Sequence, residues 1–285
     1  MNTSSTAAKN NDFFRANPVL RAKQKFDAFT QEDGMASYGG IFTKTGIFMG
    51  MTVLGYILFF ALHKLIFSHM TPVIVGPSGE GMALAEVILL LVSVIAALVL
   101  GIIAGKNPAR TAVLGSLYTA LQGYFIASTV YMAAVISNFG QMAIVAASIA
   151  LVITIIIVML MAFLYMKRIV KATQRLKKTL AVAFPAMIIL TVVGVVLSFI
   201  PATAPMMTYL LDTNPVFAIG LPLIGVVIAT MTLISDFDAI EQVVEGNAPK
   251  IYEWTAAFGL AITVIWLYIK ILRIVLKILA LAKKR

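Results

Sequence analysis

Residues 216–245 read VFAIGLPLIGVVIATMTLISDFDAIEQVVE. No charge appears from Val216 to Ser235, and then Asp236, Asp238, Glu241 and Glu245 arrive together. An uncharged run of that length crosses about 30 Å of hydrocarbon as a helix. A carboxylate at the centre of a bilayer costs about 2.5 kcal/mol or more. Acids grouped where the run ends therefore sit at a boundary and need water, a partner or a function. On a helix, Asp238, Glu241 and Glu245 fall at i, i+3 and i+7 and share a face, while Asp236 points elsewhere.

The rest of the chain repeats the long apolar run. Of 285 residues, 61% are hydrophobic and 12% charged, and the mean hydropathy is +0.98. Soluble domains are only about 45–50% apolar. Apolar runs lie near 45–67, 82–104, 112–135, 141–165, 179–200, 216–236 and 252–270. The breaks carry turn chemistry: Gly76-Pro77-Ser78-Gly79, Lys106-Asn107-Pro108, Ser137-Asn138-Phe139-Gly140, Pro201, Asn214-Pro215 and Gly246-Asn247. The pattern predicts an all-α integral membrane protein with seven transmembrane helices. Residues 41–270 form one membrane domain, after a polar and basic tail over 1–40 and before a basic helix or tail over 271–285. Within the first tail, residues 12–30 mix phenylalanines with Arg and Lys. They read as an interfacial amphipathic helix or a solvated tail.

Charge gives orientation. The net charge is +10. In a membrane protein such an excess marks sidedness and lipid contact, and no basic stripe for nucleic acid is present. Lys9, Arg15, Arg21, Lys23, Lys25 and Lys44 precede or open the first run, Lys106 and Arg110 follow the second, and Lys167, Arg168, Lys171, Arg175, Lys177 and Lys178 follow the fourth. The third and fifth connections have neither Lys nor Arg. The N-terminus is thus expected in the cytoplasm. Seven spans then send the C-terminus outside, against the pull of Lys270, Arg273, Lys277, Lys283, Lys284 and Arg285; either the early spans dominate the topology, which is the reading taken here, or one late segment is re-entrant and six spans cross. With no apolar h-region in the first forty residues, the first span is expected to act as the targeting signal.

Few chemistries remain open. The chain has no cysteine and two histidines, His63 and His69, so thiolate sites, disulfides and a histidine metal cage are excluded. No Walker loop, nucleophile elbow or zinc motif occurs, and no enzyme activity or cofactor is expected. Close acids in a poorly solvated place titrate near neutral pH or offer oxygens to a hard cation such as calcium. A wet helix end is the plain alternative, and Glu245 fits it. Glu86, early in the second run, lines a path or sits in a first helical turn favoured by the dipole. Gln122 reads as a hydrogen bond between helices. Gly46/Gly50 and Gly101/Gly105 have close-packing spacing, and Pro185 and Pro222 free backbone carbonyls.

The stretches Ile234-Ser-Asp-Phe-Asp-Ala-Ile-Glu-Gln242, Tyr252-Glu-Trp-Thr-Ala-Ala-Phe-Gly-Leu260 and Ile265-Trp-Leu-Tyr-Ile-Lys-Ile-Leu-Arg273 resemble the Bax inhibitor family. Asn17-Pro-Val19, Phe42-Thr-Lys-Thr-Gly46, Gly105-Lys-Asn-Pro108 and Leu117-Tyr-Thr-Ala-Leu-Gln-Gly123 look like its bacterial branch, similar to YccA. The resemblance implies seven helices with the last one central. It also implies a pH-sensitive calcium leak, or association with the membrane protease FtsH, in a bacterial inner membrane. In the family's channel picture an aspartate of the sixth span pairs with one of the seventh. These positions map onto Asp238 and Thr263, and Thr263 cannot ionise. A latch would then join Asp236 to Asp238, or use Glu86 across the bundle.

Two functions follow. In the first, Asp236, Asp238, Glu241 and Glu86 line a path for calcium ions or protons, supported by Gln122 and Thr263. In the second, the chain binds a membrane partner through an exposed connection over 236–253 and its basic tails.

Overall fold

The computed structural model describes residues 34–77, 79–135, 138–209 and 214–283. The surface helix expected over 12–30 lies outside them. Among the described residues, seven long helices and one helical turn at Ala204–Thr208 carry the fold. The long helices are α1 (Tyr38–Leu65), α2 (Leu84–Lys106), α3 (Pro108–Val135), α4 (Gln141–Met166), α5 (Gln174–Ser198), α6 (Pro215–Glu245) and α7 (Tyr252–Lys283). Side chains cap three of them. Ser37, Thr173 and Asn214 accept backbone N–H bonds from Gly40, Leu176 and Val216, supplying acceptors to N–H groups that have none inside the helix. Asn247, just past α6, takes the left-handed conformation at φ +50° and closes the turn into α7. The Gly76–Gly79 break, read only as a turn, joins a small antiparallel hairpin of β1 (Pro72–Val75) and β2 (Gly81–Ala83).

Helix α7 is the centre of the bundle. It packs on α6, α4, α1 and α3, and no residue from Tyr252 to Lys277 is exposed. Phe48 of α1 meets both Trp254 and Phe258 edge-on with ring centroids 5.6 Å apart. Tyr118 of α3 meets Phe258 at 5.3 Å. Gly115 makes room for this cluster, because a Cβ there would press on Phe48 and Phe258. Lipid tails are as apolar as Leu, so it is close packing of this kind that holds membrane helices together. The helix also continues without a break through residues 271–283.

Helices α1 and α3 cross backbone to backbone. A Cβ on Gly55 would collide with the carbonyl of Ala120, and one on Gly123 with the carbonyl of Thr52. The expected close-packing pairs behave differently. Gly46, Gly50 and Gly105 face open space, and Gly101 alone touches a neighbour, Tyr118.

Helices α1, α2, α4, α5 and α6 are long and apolar enough to cross a membrane, and the chain is a multi-pass membrane protein. Their outer faces carry rows such as Ile88, Val92, Ile95 and Val99 on α2, spaced at helical period. Helices α3 and α7 have 28 and 32 residues but more polar ones. Thr119, Gln122 and Ser128 of α3 and Glu253, Thr263 and Lys270 of α7 are all buried. Protein, and not lipid, surrounds those side chains.

Candidate functional site

The acidic end of α6 presents two different faces. Asp238 points toward α5, where Lys177 donates to its Oδ2, and Gln242 one turn on donates to the same oxygen. Glu241 points toward the α4–α5 connection. It accepts from Tyr165 and from both terminal nitrogens of Arg168, one at 3.1 Å. The basic segment that marked sidedness thus lies against these acids. Glu245 is exposed, as a wet helix end requires.

Asp236 faces the central helix. A Cβ built on Gly259 would stand 3.8 Å from its Oδ1, so the carboxylate sits where α7 has no side chain. Thr263, one turn further along α7 and buried, stands beside it. The Thr263 hydroxyl also reaches the Gly259 carbonyl at 3.3 Å. Asp236 Oδ2 is shut away from solvent and has no hydrogen-bond partner among the described residues. A buried oxygen left in this way costs about 1–3 kcal/mol, and groups kept at such a cost invite a functional explanation.

The spatial pairing differs from the one drawn from the resemblance. Asp236, and not Asp238, faces Thr263. A latch between Asp236 and Asp238 does not form, since two residues turn a helix by about 200° and the carboxylates face α7 and α5. Nor do the acids gather as a calcium cage. Among the described residues no group of three His, Asp or Glu could hold a metal ion.

Glu86 lies at the other end of the bundle. Its Oε1 is 2.9 Å from His63 Nδ1, and its Oε2 is buried with no hydrogen-bond partner among the described residues. Tyr131 covers the pair, 4.3 Å from the His63 ring, and donates to the Gly81 carbonyl of the hairpin. Lys44 and His63 mark the two ends of α1, roughly 28 Å apart at 1.5 Å per residue. Glu86 therefore cannot reach across to Asp236.

Residues that the sequence did not single out complete the acidic end. Glu253, the second residue of α7, is fully buried. It accepts from Lys44 Nζ, from the Ser37 N–H at 2.8 Å and from the Ser37 hydroxyl at 3.1 Å. Gly40 leaves space for it, since a Cβ there would strike the carboxylate. The segment before α1 also pairs with the α6–α7 turn, with Ala36 donating to Ala248 and Lys250 to Gly34. The end of the connection expected to be an exposed docking feature is thus packed: Ala248, Tyr252 and Glu253 are buried. A Glu beside a Trp at the start of an apolar run was the available signal, because a carboxylate there needs a cation.

Gln122 lines a cavity of about 350 Å³ bounded by α2, α3, α5 and α7. Tyr118, one turn before Gln122 on α3, accepts from the Trp266 indole at 3.2 Å. Among the described residues the hydrogen bond from α3 to α7 is thus made by Tyr118, one turn from the Gln122 of which it was expected.

A family model described as Bax inhibitor 1 like matches residues 17–280. Comparison with curated proteins and with solved structures finds no match.

Proposed function

The chain belongs to the Bax inhibitor 1-like family, and on that premise we propose that it is a pH-sensitive cation leak pathway whose ion-binding group is Asp236. The observation that carries this reading is the Asp236 carboxylate, set between α6 and α7 with one oxygen unsatisfied and an unbranched notch at Gly259 before it. A cation path across a membrane requires an acid between helices at a place where a hydrated ion can replace missing hydrogen bonds. Calcium, a hard cation that takes oxygen ligands, is the proposed cargo, with protons competing for the same carboxylate.

In this reading all seven long helices cross the bilayer, the N-terminus is cytoplasmic, and the protein lies in a bacterial inner membrane as a YccA-like member. The ion pairs Lys177–Asp238 and Arg168–Glu241 tie α6 to α5 and to the α4–α5 connection, and so hold the path closed. Asp236 attracts a cation only as a carboxylate, so flux falls as acid protonates it.

The test is calcium-dye flux in liposomes. Asp236→Asn keeps the shape of the side chain and removes its charge, and it is expected to lower flux about tenfold and to flatten the pH profile. Unchanged flux and an unchanged profile would remove Asp236 from the path. A second reading draws on Thr263, which stands where the resemblance expects an acid: a non-conducting member that modulates a partner such as the FtsH protease. Zero flux together with stoichiometric recovery of one membrane protease from native membranes would favour it.

A further inference from the structure

The cavity between α2, α3, α5 and α7 has features that ion flow does not use. Its wall is almost wholly apolar, with Val94, Leu98, Ile102, Phe184 and Ile188 among the lining residues, and it runs roughly 14 Å along α2 from Ser93 to Ile102. Its volume of about 350 Å³ lies at the small end of the range for ligand sites.

Two of its wall residues, Thr191 of α5 and Trp266 of α7, also hold Lys270. The ammonium donates to Thr191 Oγ1 at 2.7 Å and lies 5.1 Å from the centre of the Trp266 ring. Lys270 is 5% exposed. Gly225 of α6 leaves space for its stem, since a Cβ there would come within 2.9 Å of Lys270 Cδ. Among the described residues no carboxylate forms a salt bridge with it.

A buried cation inside a membrane bundle is costly unless an anion meets it. The described residues around it supply a hydroxyl and a ring face, which satisfy part of an ammonium, and no carboxylate among them pairs with it. An apolar cavity next to an amine that lacks an acidic partner among the described residues matches an amphiphile with one acyl chain and one small negative head.

We propose that this cavity binds a long-chain fatty acid, its carboxylate paired with Lys270 beside Thr191 and its chain lying along α2 and α5 toward Gly101 and Phe184. The cavity's size admits part of one chain, which disfavours a diacyl lipid. The burial of the ammonium favours a carboxylate over a bulky phosphate headgroup.

Quenching of Trp266 by dibromostearate tests this in full-length protein reconstituted in phosphatidylcholine. Trp254 sits at the other end of α7, so the Trp254→Phe variant reports from Trp266 alone. The expected result is saturable quenching, reversed by unlabelled stearate and not by stearyl alcohol. Lys270→Gln should weaken the acid's binding about tenfold while Lys270→Arg retains it. Quenching that rises linearly without saturation, equal competition by the alcohol, or Lys270→Gln equal to the parent would overturn the assignment. If Lys270→Gln fails to fold, the comparison of acid with alcohol in the parent decides alone.

Discussion

On the rim of the bundle Glu253, Asp238 and Glu241 each hold a cation: Lys44, Lys177 and Arg168 in turn. In the seam one helix face away, Asp236 faces a threonine and the notch of a glycine and holds no cation among the described residues. The two regions are built from the same residue type at the same end of the molecule, and Asp236 and Asp238 are two positions apart. What separates them is rotation. Two steps along α6 turn the side chain from the basic segment 167–178 to the apolar surface of α7. Partners, and not the carboxylate itself, decide whether an acid is a tie or an available ligand.

The sharpest way to break this contrast is to make a rim acid resemble the seam acid. Lys44→Met strands Glu253, whose side chain is 1% exposed. Stranding a buried charge costs about 3–5 kcal/mol. The loss should appear as a lower midpoint for unfolding in detergent. Pairing it with Glu253→Met removes both charges and should recover most of the loss. A double variant as unstable as Lys44→Met would mean that Glu253 matters through its Ser37 bonds and not through the ion pair.

Flux sharpens the contrast from the other side. Asp236→Asn is expected to lower flux about tenfold, as stated above. Asp238→Asn should act oppositely and more weakly, raising flux about twofold at neutral pH, because it releases Lys177 and loosens α6. Its pH profile should keep the shape of the parent's, since Asp236 is intact. Equal loss of flux in both variants, measured in the same liposomes, would erase the distinction between tie and ligand.

Much of this was legible in the residues. Uncharged runs and turn chemistry locate every long helix among the described residues, and the acids at the end of α6 stand out as an anomaly. The hidden parts depend on rotation and crossing. A helical repeat places Asp238 with Glu241 but does not say which neighbour each face meets, so it does not show that Asp236 is the aspartate beside Thr263. Gly46 and Gly50 had the expected spacing within α1, yet the real approach uses one glycine from each of two helices, Gly55 and Gly123, and no spacing within a chain encodes that. Lys270 read as part of a basic tail because it stands near other cations. Its burial became visible only once α7 proved to be the inner helix.

The smallest effect belongs to Arg168. Its side chain is 63% exposed, and it holds its backbone at φ +58°, a conformation that non-glycine residues take rarely. Glu241 keeps the Tyr165 hydroxyl when the guanidinium is removed, so Arg168→Ala leaves no buried charge stranded. An exposed pair is also screened by salt. Arg168→Ala should therefore leave thermal stability within experimental error and flux within about twofold of the parent, at any ionic strength tested. Lys177→Ala should do more, because that side chain is only 24% exposed and its partner 21%. A gradient running from Lys44 through Lys177 to Arg168 would establish burial as the scale on which the rim acids are ranked. Equal effects at all three would show that the rim acts as one network, with Arg168 as much a part of the closure as the buried pair.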